Sequence, residues 1–156
     1  MLNPTSLAKP HAKDQLQADI VSNAIDIASV TETWYKSHHT DQLVAIDGYN
    51  LFRRDRAKKR GGGVALYVRQ GIKCELYSPF SDDLSNQRFE LLWVKACLLN
   101  QDLFIGVLYH PPKSSYITGD LLVFLSKYFD HFFTLFSHPV IILTGDFNQK
   151  LDSDIT

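Results

Sequence analysis

The residues best suited to catalysis lie near the end of the chain, in a Thr-Gly-Asp-Phe-Asn stretch at positions 144–148. Four apolar residues at 140–143, followed by Gly145, predict a short buried strand just before them. Side chains two residues apart on an extended backbone point to the same side, so we expect Asp146 and Asn148 to face one site. An Asp that accepts a proton and an Asn that orients water suit hydrolysis. The alternative is an ordinary turn, since Gly, Asp and Asn are common turn residues.

Glu32 is a second candidate because it follows an apolar run at 24–30 that also predicts a strand. A lone Glu at such a position is more often a solvated loop residue. However, it lies beside Trp34 in Thr-Glu-Thr-Trp, which suggests a shaped pocket. If Glu32 and Asp146 converge at one sheet edge, their oxygens suit Mg²⁺. The absence of His and Cys from these segments favours magnesium or manganese over zinc.

Tyr109 ends a further predicted strand and precedes His110 and two prolines. The prolines are sufficient to explain a strand stop, because proline cannot continue a hydrogen-bonded ladder. A tyrosine hydroxyl at a strand end can also donate a hydrogen bond to a phosphate oxygen. A histidine in a proline turn is more often exposed, so no catalytic role is assigned to His110.

A basic run at residues 53–60 precedes three consecutive glycines and carries six positive charges and one negative charge. Such runs at hairpin tips are usually solvated, but in a nearly neutral chain this one could bind a DNA backbone. The glycines lack the Lys-Ser/Thr of a nucleotide-binding P-loop. The predicted nucleic-acid-binding residues are Arg53, Arg54, Arg56, Lys58, Lys59 and Arg60.

Hydrophobic periodicity predicts an α+β domain in which strands in hairpin-like succession outnumber the helices. Strict βαβα alternation is absent, which argues against a parallel doubly wound sheet. The predicted helices span residues 10–21 and 119–136, and the predicted strands span residues 24–30, 49–53, 64–68, 89–99, 103–108 and 140–143, with a turn around residues 100–102.

The bulk composition excludes several functional classes. A length of 156 residues fits one domain with a hydrophobic core, and a net charge of −1 excludes a uniformly polybasic nucleic-acid binder. No apolar run approaches the roughly 18 residues of a membrane span, so we expect an intracellular protein with no membrane partner. Cys74 and Cys97 lack the spacing of a metal site or a disulfide framework, which predicts reduced thiols.

Five motifs occur in a characteristic order: Asn3, Thr31-Glu32-Thr33-Trp34, the basic run leading into Gly61-Gly62-Gly63-Val64-Ala65-Leu66-Tyr67-Val68, Tyr109 with Pro111, and Gly145-Asp146-Phe147-Asn148. This order resembles the endonuclease/exonuclease/phosphatase superfamily. Within it, the chain is similar to the apurinic-type endonuclease domain of non-LTR (LINE-like) retrotransposons. The resemblance covers nearly the whole chain. It implies a single domain over residues 1–156 with a four-layer αββα sandwich, the deoxyribonuclease I-like fold, whose C-terminal half is incomplete.

The resemblance also implies a role for each matching residue. Asn3 would help to hold the metal and its waters, Glu32 would bind the metal, and Tyr109 would contact the scissile phosphate. Asp146 would orient or deprotonate the attacking water, and Asn148 would support that water and the phosphate oxygens. The implied chemistry is Mg²⁺-dependent phosphodiester cleavage by in-line attack of water.

The family domain extends beyond this chain at both ends, which leads us to expect a fragment or a truncated gene copy. The absent part would supply a further Asp and a Ser-Asp-His motif. Ser153-Asp154 does not match that motif, because Ile155 follows it. We therefore expect reduced activity, together with an exposed strand edge and an apolar face prone to aggregation.

The leading functional hypothesis is an enzyme that nicks target DNA to prime reverse transcription, with a reverse transcriptase downstream in the full-length polyprotein. It would be nuclear if it acts on chromosomal DNA. A first alternative is a catalytically dead remnant that binds nucleic acid through the basic run. A second is a phosphatase or phosphodiesterase of the same superfamily that acts on a phosphorylated lipid or small molecule. Fold alone does not settle the substrate.

Overall fold

The computed structural model describes residues 6–57, 60–80 and 88–148. These residues form three helices and seven strands. In chain order they are α1 (Ala12–Ser22), β1 (Ile27–Thr31), α2 (Asp41–Val44), β2 (Tyr49–Arg54), β3 (Val64–Arg69), β4 (Lys73–Leu76), β5 (Glu90–Leu98), β6 (Gln101–Tyr109), α3 (Thr118–Leu135) and β7 (Val140–Asp146).

The strands of this part of the chain form two sheets. The first sheet has the order β1-β3-β2, and the second has the order β4-β5-β6-β7. All neighbouring strands are antiparallel except β6 and β7, which run parallel because α3 connects them. The carboxyl ends of β6 and β7 therefore meet at the same edge of the second sheet.

Three apolar clusters separate four layers. One cluster packs α1 and α2 against the first sheet, a second lies between the two sheets, and a third packs α3 against the second sheet. The α3 stripe follows helical spacing, with Leu121, Leu125, Tyr128 and Phe132 buried. The mixed α/β class and the sandwich predicted from the sequence are thus confirmed.

Every helix and strand predicted from periodicity is present with small shifts of its ends, but two short elements were missed. The strand β4 is four residues long and mostly exposed, so it carries no apolar alternation. The helix α2 is also four residues long and buries only Val44. The turn between β5 and β6 was predicted one residue too late, because Leu99 and Asn100 form it with positive φ angles and Gln101 already pairs with Leu98.

The strand β7 lies at the edge of the second sheet. Within the described ranges it pairs only with β6, and Val140 and Ile142 are 36% and 47% exposed. The prediction that residues 140–143 form a buried strand is therefore wrong in its burial, because an edge strand leaves these two side chains accessible. No helix in the described part of the chain is long and apolar enough to cross a membrane. Cys74 and Cys97 are free thiols.

Gly145 allows the close approach of β7 to β6 immediately before Asp146. Its φ is +141°, and a Cβ at this position would overlap the backbone carbonyl of Leu108 on the neighbouring strand. A backbone atom in a sheet cannot move aside as a flexible side chain can. Glycine is therefore required here by both conformation and space.

We expect Gly145→Ala to lower the free energy of unfolding by at least about 2 kcal/mol, because the strand must separate from its neighbour. Gly71→Ala is the matched control, since Gly71 also has a positive φ of +97° but has open space around it. Urea denaturation measures both variants. An equal loss in the two would show that backbone conformation, and not the contact with Leu108, determines the cost.

Candidate active site

Three residues of the second sheet lie side by side at one edge. In the strand register Glu90 pairs with Tyr109, and Tyr109 pairs with Asp146. Residues paired directly across neighbouring strands point to the same face of a sheet. Their side chains therefore share one face, at the edge where β6 and β7 end.

Glu32 reaches this edge from the first sheet. It follows β1 directly and has a positive φ of 58°, which turns the chain away from the strand direction. The Tyr109 hydroxyl donates a hydrogen bond to Oε1 of Glu32. A second link between the sheets joins the hydroxyls of Ser29 and Thr144, 3.4 Å apart. The site thus lies where the ends of both sheets meet.

The Glu32 carboxylate is held in its ionised form. Burial alone would raise its pKa, but hydrogen bonds from Tyr109, Trp34 and the Gly62 backbone, together with the charge of Arg56, lower the pKa overall. In turn, burial and the Glu32 carboxylate raise the pKa of the Tyr109 hydroxyl. At neutral pH the pair is therefore a carboxylate acceptor with a protonated tyrosine donor.

Trp34 and Gly62 both donate to the other oxygen of Glu32. Trp34 Nε1–H donates to Oε2 of Glu32 over 2.5 Å, and the Gly62 amide donates to the same oxygen over 3.4 Å. The Trp34 amide donates in turn to the Gly62 carbonyl over 2.9 Å. The sequence placed Trp34 beside Glu32, and these contacts show that the indole binds the Glu32 carboxylate directly.

Glu90 is a buried carboxylate that the sequence analysis missed. Its Oε1 accepts from Arg56 Nε over 2.6 Å, and its Oε2 accepts from the Gly63 amide over 2.6 Å. The Arg56 guanidinium also lies 5.5 Å from the centre of the Tyr109 ring. A charged residue directly before the apolar run Leu91–Val94 was the only sequence signal. It did not identify a partner, because Arg56 and Gly63 lie some 30 positions earlier.

Asp146 is the last residue of β7, and Asn148 forms a turn around it. The Asn148 amide donates to Oδ1 of Asp146 over 3.1 Å, and Nδ2 of Asn148 donates to the His110 carbonyl over 2.9 Å. Asn148 has a φ of 44°, so the alternation of an extended strand, which was the basis for placing both side chains on one side, does not reach it. The strand and turn interpretations thus each describe part of this segment.

His110 is buried, which corrects the expectation that a histidine in a proline turn is exposed. Only 4% of it is accessible, and its Nδ1 lies 2.9 Å from the Tyr116 hydroxyl. Burial lowers the pKa of His110, against the opposing charge of Asp146. Its backbone amide donates to the Asp146 carbonyl over 2.8 Å, so the residue supports the end of β7.

The arginines of the basic run do not form one exposed surface. Arg53 contacts Asp41 at 2.9 Å, Asp55 at 3.4 Å and the His39 carbonyl at 2.6 Å. Arg54 donates to the Leu91 carbonyl, and Arg56 pairs with Glu90. Arg60 is exposed and lies 5.2 Å from the centre of the Trp34 ring, at the site itself.

The structure brings four of the predicted site residues together and leaves three unplaced. Glu32, Tyr109, Asp146 and Asn148 lie close together, whereas Asn3, Lys58 and Lys59 lie outside the described residues. Within the described ranges, no group of three or more His, Cys, Asp and Glu residues could hold a metal ion. The two carboxylates still fit Mg²⁺, which usually keeps several waters and binds proteins through one or two carboxylates.

Comparison with known proteins gives a family match over the full length. The sequence profile of the Endonuclease/Exonuclease/phosphatase family matches residues 1–156. Members of this family are hydrolases, mainly nucleases. A search of curated proteins gives no significant match.

Solved structures with the same fold share little sequence with the chain. The endonuclease domain of TRAS1, a telomere-specific non-LTR retrotransposon, aligns with a TM-score of 0.63 and 14% identity over 96% of this chain and 57% of that one. AP endonuclease LMAP from Leishmania major aligns with a TM-score of 0.62 and 17% identity over 92% of this chain and 53% of that one. The human Nocturnin catalytic domain with bound sulfate anion aligns with a TM-score of 0.63 and 15% identity over 96% of this chain and 62% of that one. The chain spans less than two thirds of each structure.

We expect Tyr109→Phe to raise the pKa of Glu32, because the variant removes a donor from the ionised carboxylate. A ¹³C NMR titration of the Glu32 carboxyl measures this change. Tyr116→Phe is the control, since that hydroxyl contacts His110 and not Glu32. An unchanged Glu32 titration in Tyr109→Phe would contradict the assigned hydrogen bond.

The same carboxyl makes stability depend on pH. Its pKa in the folded chain lies below the ordinary value of 4.5, so its contribution is present above pH 4.5 and is lost as the pH falls through the folded-state pKa. Thermal melts between pH 3 and pH 7 should therefore show a weaker acid dependence for Glu32→Gln than for the wild type. Equal acid dependence would assign the loss of stability to other groups.

Proposed function

The chain belongs to the Endonuclease/Exonuclease/phosphatase family, and we propose that it is the endonuclease domain of a non-LTR retrotransposon, which nicks DNA with Mg²⁺. The convergence of Glu32, Tyr109, Asp146 and Asn148 at one edge of the sandwich carries this proposal. The fold shared with the TRAS1 endonuclease domain supports the retrotransposon assignment, at the level of fold alone.

Glu32 is the residue that would hold the divalent metal, with Asn3 near its waters. Its lowered pKa keeps the carboxylate ionised, and an oxygen ligand suits Mg²⁺ or Mn²⁺. When bound, the metal would supply Lewis-acid stabilisation of the charge that develops on the phosphate. The side chains around Glu32 would activate the water and bind the phosphate oxygens.

Asp146 would orient the attacking water and accept its proton. The Asn148 amide holds one oxygen of Asp146, and the contact of Asn148 with the His110 carbonyl fixes the turn that follows the strand. Such a constrained carboxylate loses little freedom when it aligns a nucleophile. Asn148 would support the same water and the phosphate oxygens.

Tyr109 would turn its single O–H donor from Oε1 of Glu32 to a phosphate oxygen when the substrate binds. Its raised pKa keeps the hydroxyl protonated at neutral pH, so it remains a donor as negative charge develops. Tyr109 contacts Glu32 through its hydroxyl and pairs with Asp146 in the strand register, so a phosphate oxygen beside the hydroxyl would lie near both carboxylates.

DNA would approach across the exposed Arg60, with Lys58 and Lys59 as further phosphate contacts. Arg60 lies against Trp34, whose indole contacts Glu32, so a phosphate bound by Arg60 would be close to the site. Arg53, Arg54 and Arg56 contribute mainly through the partners that they hold inside the chain. We further propose that residues 1–156 act as one domain, in the nucleus, within a polyprotein that continues into a reverse transcriptase.

A nicking assay on supercoiled plasmid tests the proposed activity. We expect Mg²⁺-dependent nicking that a chelator abolishes and that Asp146→Ala reduces by about 100-fold or more. Asp130→Ala, an exposed carboxylate on α3, is the control that should keep the activity. A folded protein without nicking would overturn the assignment. Salt-sensitive DNA binding that survives Asp146→Ala would then favour the binding remnant.

Filter binding to a DNA duplex tests the contact at Arg60. We expect Arg60→Ala to weaken binding and to lower the salt slope by about 1, as the loss of one phosphate contact requires. Arg69→Ala is the control, because Arg69 pairs with Asp26 at the opposite end of β3. Equal effects of the two variants would indicate binding through overall charge.

A further inference from the structure

Residues 61–63, the glycine strap, contact two carboxylates: Glu32, which follows a strand of the first sheet, and Glu90, which begins a strand of the second. The Gly62 amide donates to Glu32, and the next amide, that of Gly63, donates to Glu90. Adjacent amides of one short segment thus bind two carboxylates that belong to different sheets. Any displacement of the strap away from Glu90 also changes its distance from Glu32.

The strap fits tightly against the Arg56–Glu90 ion pair. Gly62 has a φ of +69°, and a Cβ there would overlap the Arg56 guanidinium and the Glu90 carboxylate. The side chains of Arg56 and Glu90 are only 19% and 11% exposed, so the pair is largely shielded from water. A shielded carboxylate that loses its donors is costly, so the pair favours this one position of the strap.

Trp34 connects the strap to Glu32 a second time. Its backbone amide donates to the Gly62 carbonyl, and a Cβ at Gly61 would lie 3.4 Å from its indole. The indole N–H then donates to Glu32. The position of the strap therefore determines where the indole donor lies.

We propose that Glu90 is a positioning residue, which acts with Arg56 through the glycine strap and Trp34 to hold the Glu32 carboxylate in place. This inference rests on the proposed function only in naming Glu32 as the metal ligand. Partners that orient a ligand from behind it typically change metal affinity by 10-fold to 100-fold when they are removed. Glu90 does not contact Glu32 itself; it holds the glycine strap, and through it the two donors Gly62 and Trp34 that bind Glu32.

The indole N–H resonance of Trp34 reports on this arrangement without any need for activity. The chain has two tryptophans, and Trp93 Nε1 has no hydrogen-bond partner among the described residues. Trp93 therefore serves as an internal reference in a ¹H–¹⁵N spectrum. In Glu90→Ala we expect the Trp34 indole signal to shift in the same direction as in Glu32→Gln, and its exchange with solvent to accelerate about 10-fold.

Two further variants separate positioning from a loss of stability. Glu90→Gln should restore part of the wild-type signal, because the amide oxygen can still accept from the Gly63 amide, and it decides the question if Glu90→Ala does not fold. Asp102→Ala breaks the 3.0 Å Lys95–Asp102 pair at the other end of β5 and β6, and should leave the Trp34 signal unchanged. An unchanged Trp34 resonance in both Glu90 variants, with a shift in Glu32→Gln, would overturn the proposal.

Titration with Mn²⁺ by calorimetry links the positioning to the metal. We expect Glu90→Ala to bind Mn²⁺ about 10-fold more weakly than the wild type, with Asp102→Ala unchanged. If the wild type binds no Mn²⁺, the proposed metal-dependent function fails while the indole comparison still decides the role of Glu90. If Mn²⁺ affinity and the indole signal are both unaffected by Glu90 variants, the positioning role is wrong and the proposed function stands.

Discussion

The hydrogen bond from Tyr109 to Glu32 is the contact on which the site depends, because it joins the two sheets at their shared edge. Glu32 receives donors from both sides, with Tyr109 from one sheet and Trp34 and Gly62 from the other. A half-buried carboxylate requires such donors to remain ionised. The relative position of the two sheets therefore sets where the charge of the site lies.

The rest of the sandwich maintains that relative position. The apolar cluster between the sheets fixes their separation, and the parallel pairing of β6 with β7 aligns Asp146 with Tyr109. Gly145 permits this pairing to continue to the last residue of the strand. The candidate site residues are thus placed by ordinary packing and backbone hydrogen bonds, together with the local turn at Asn148.

The basic run shows how tertiary contacts divide a motif that is uniform in the sequence. Arg53 and Arg56 are paired with carboxylates on other elements, because a shielded guanidinium needs partners that replace water. Arg60 instead lies exposed against Trp34. The arginines of one run thus have two roles. Arg53 and Arg56 stabilise the structure around the site, and Arg60 lies on its solvent-exposed side.

Apolar periodicity and glycine placement act over a few neighbouring residues, so they were enough to predict the longer helices and strands, the α+β class and the candidate residues at the strand ends. The order of motifs along the chain was enough to indicate the family. Sequence patterns did not predict the burial of His110, the contacts of Trp34, the partners of each arginine or the presence of Glu90 beside the site. The physical reason is that strand register and sheet packing join residues far apart in the chain, such as Glu32 and Tyr109, and no local pattern encodes those distances.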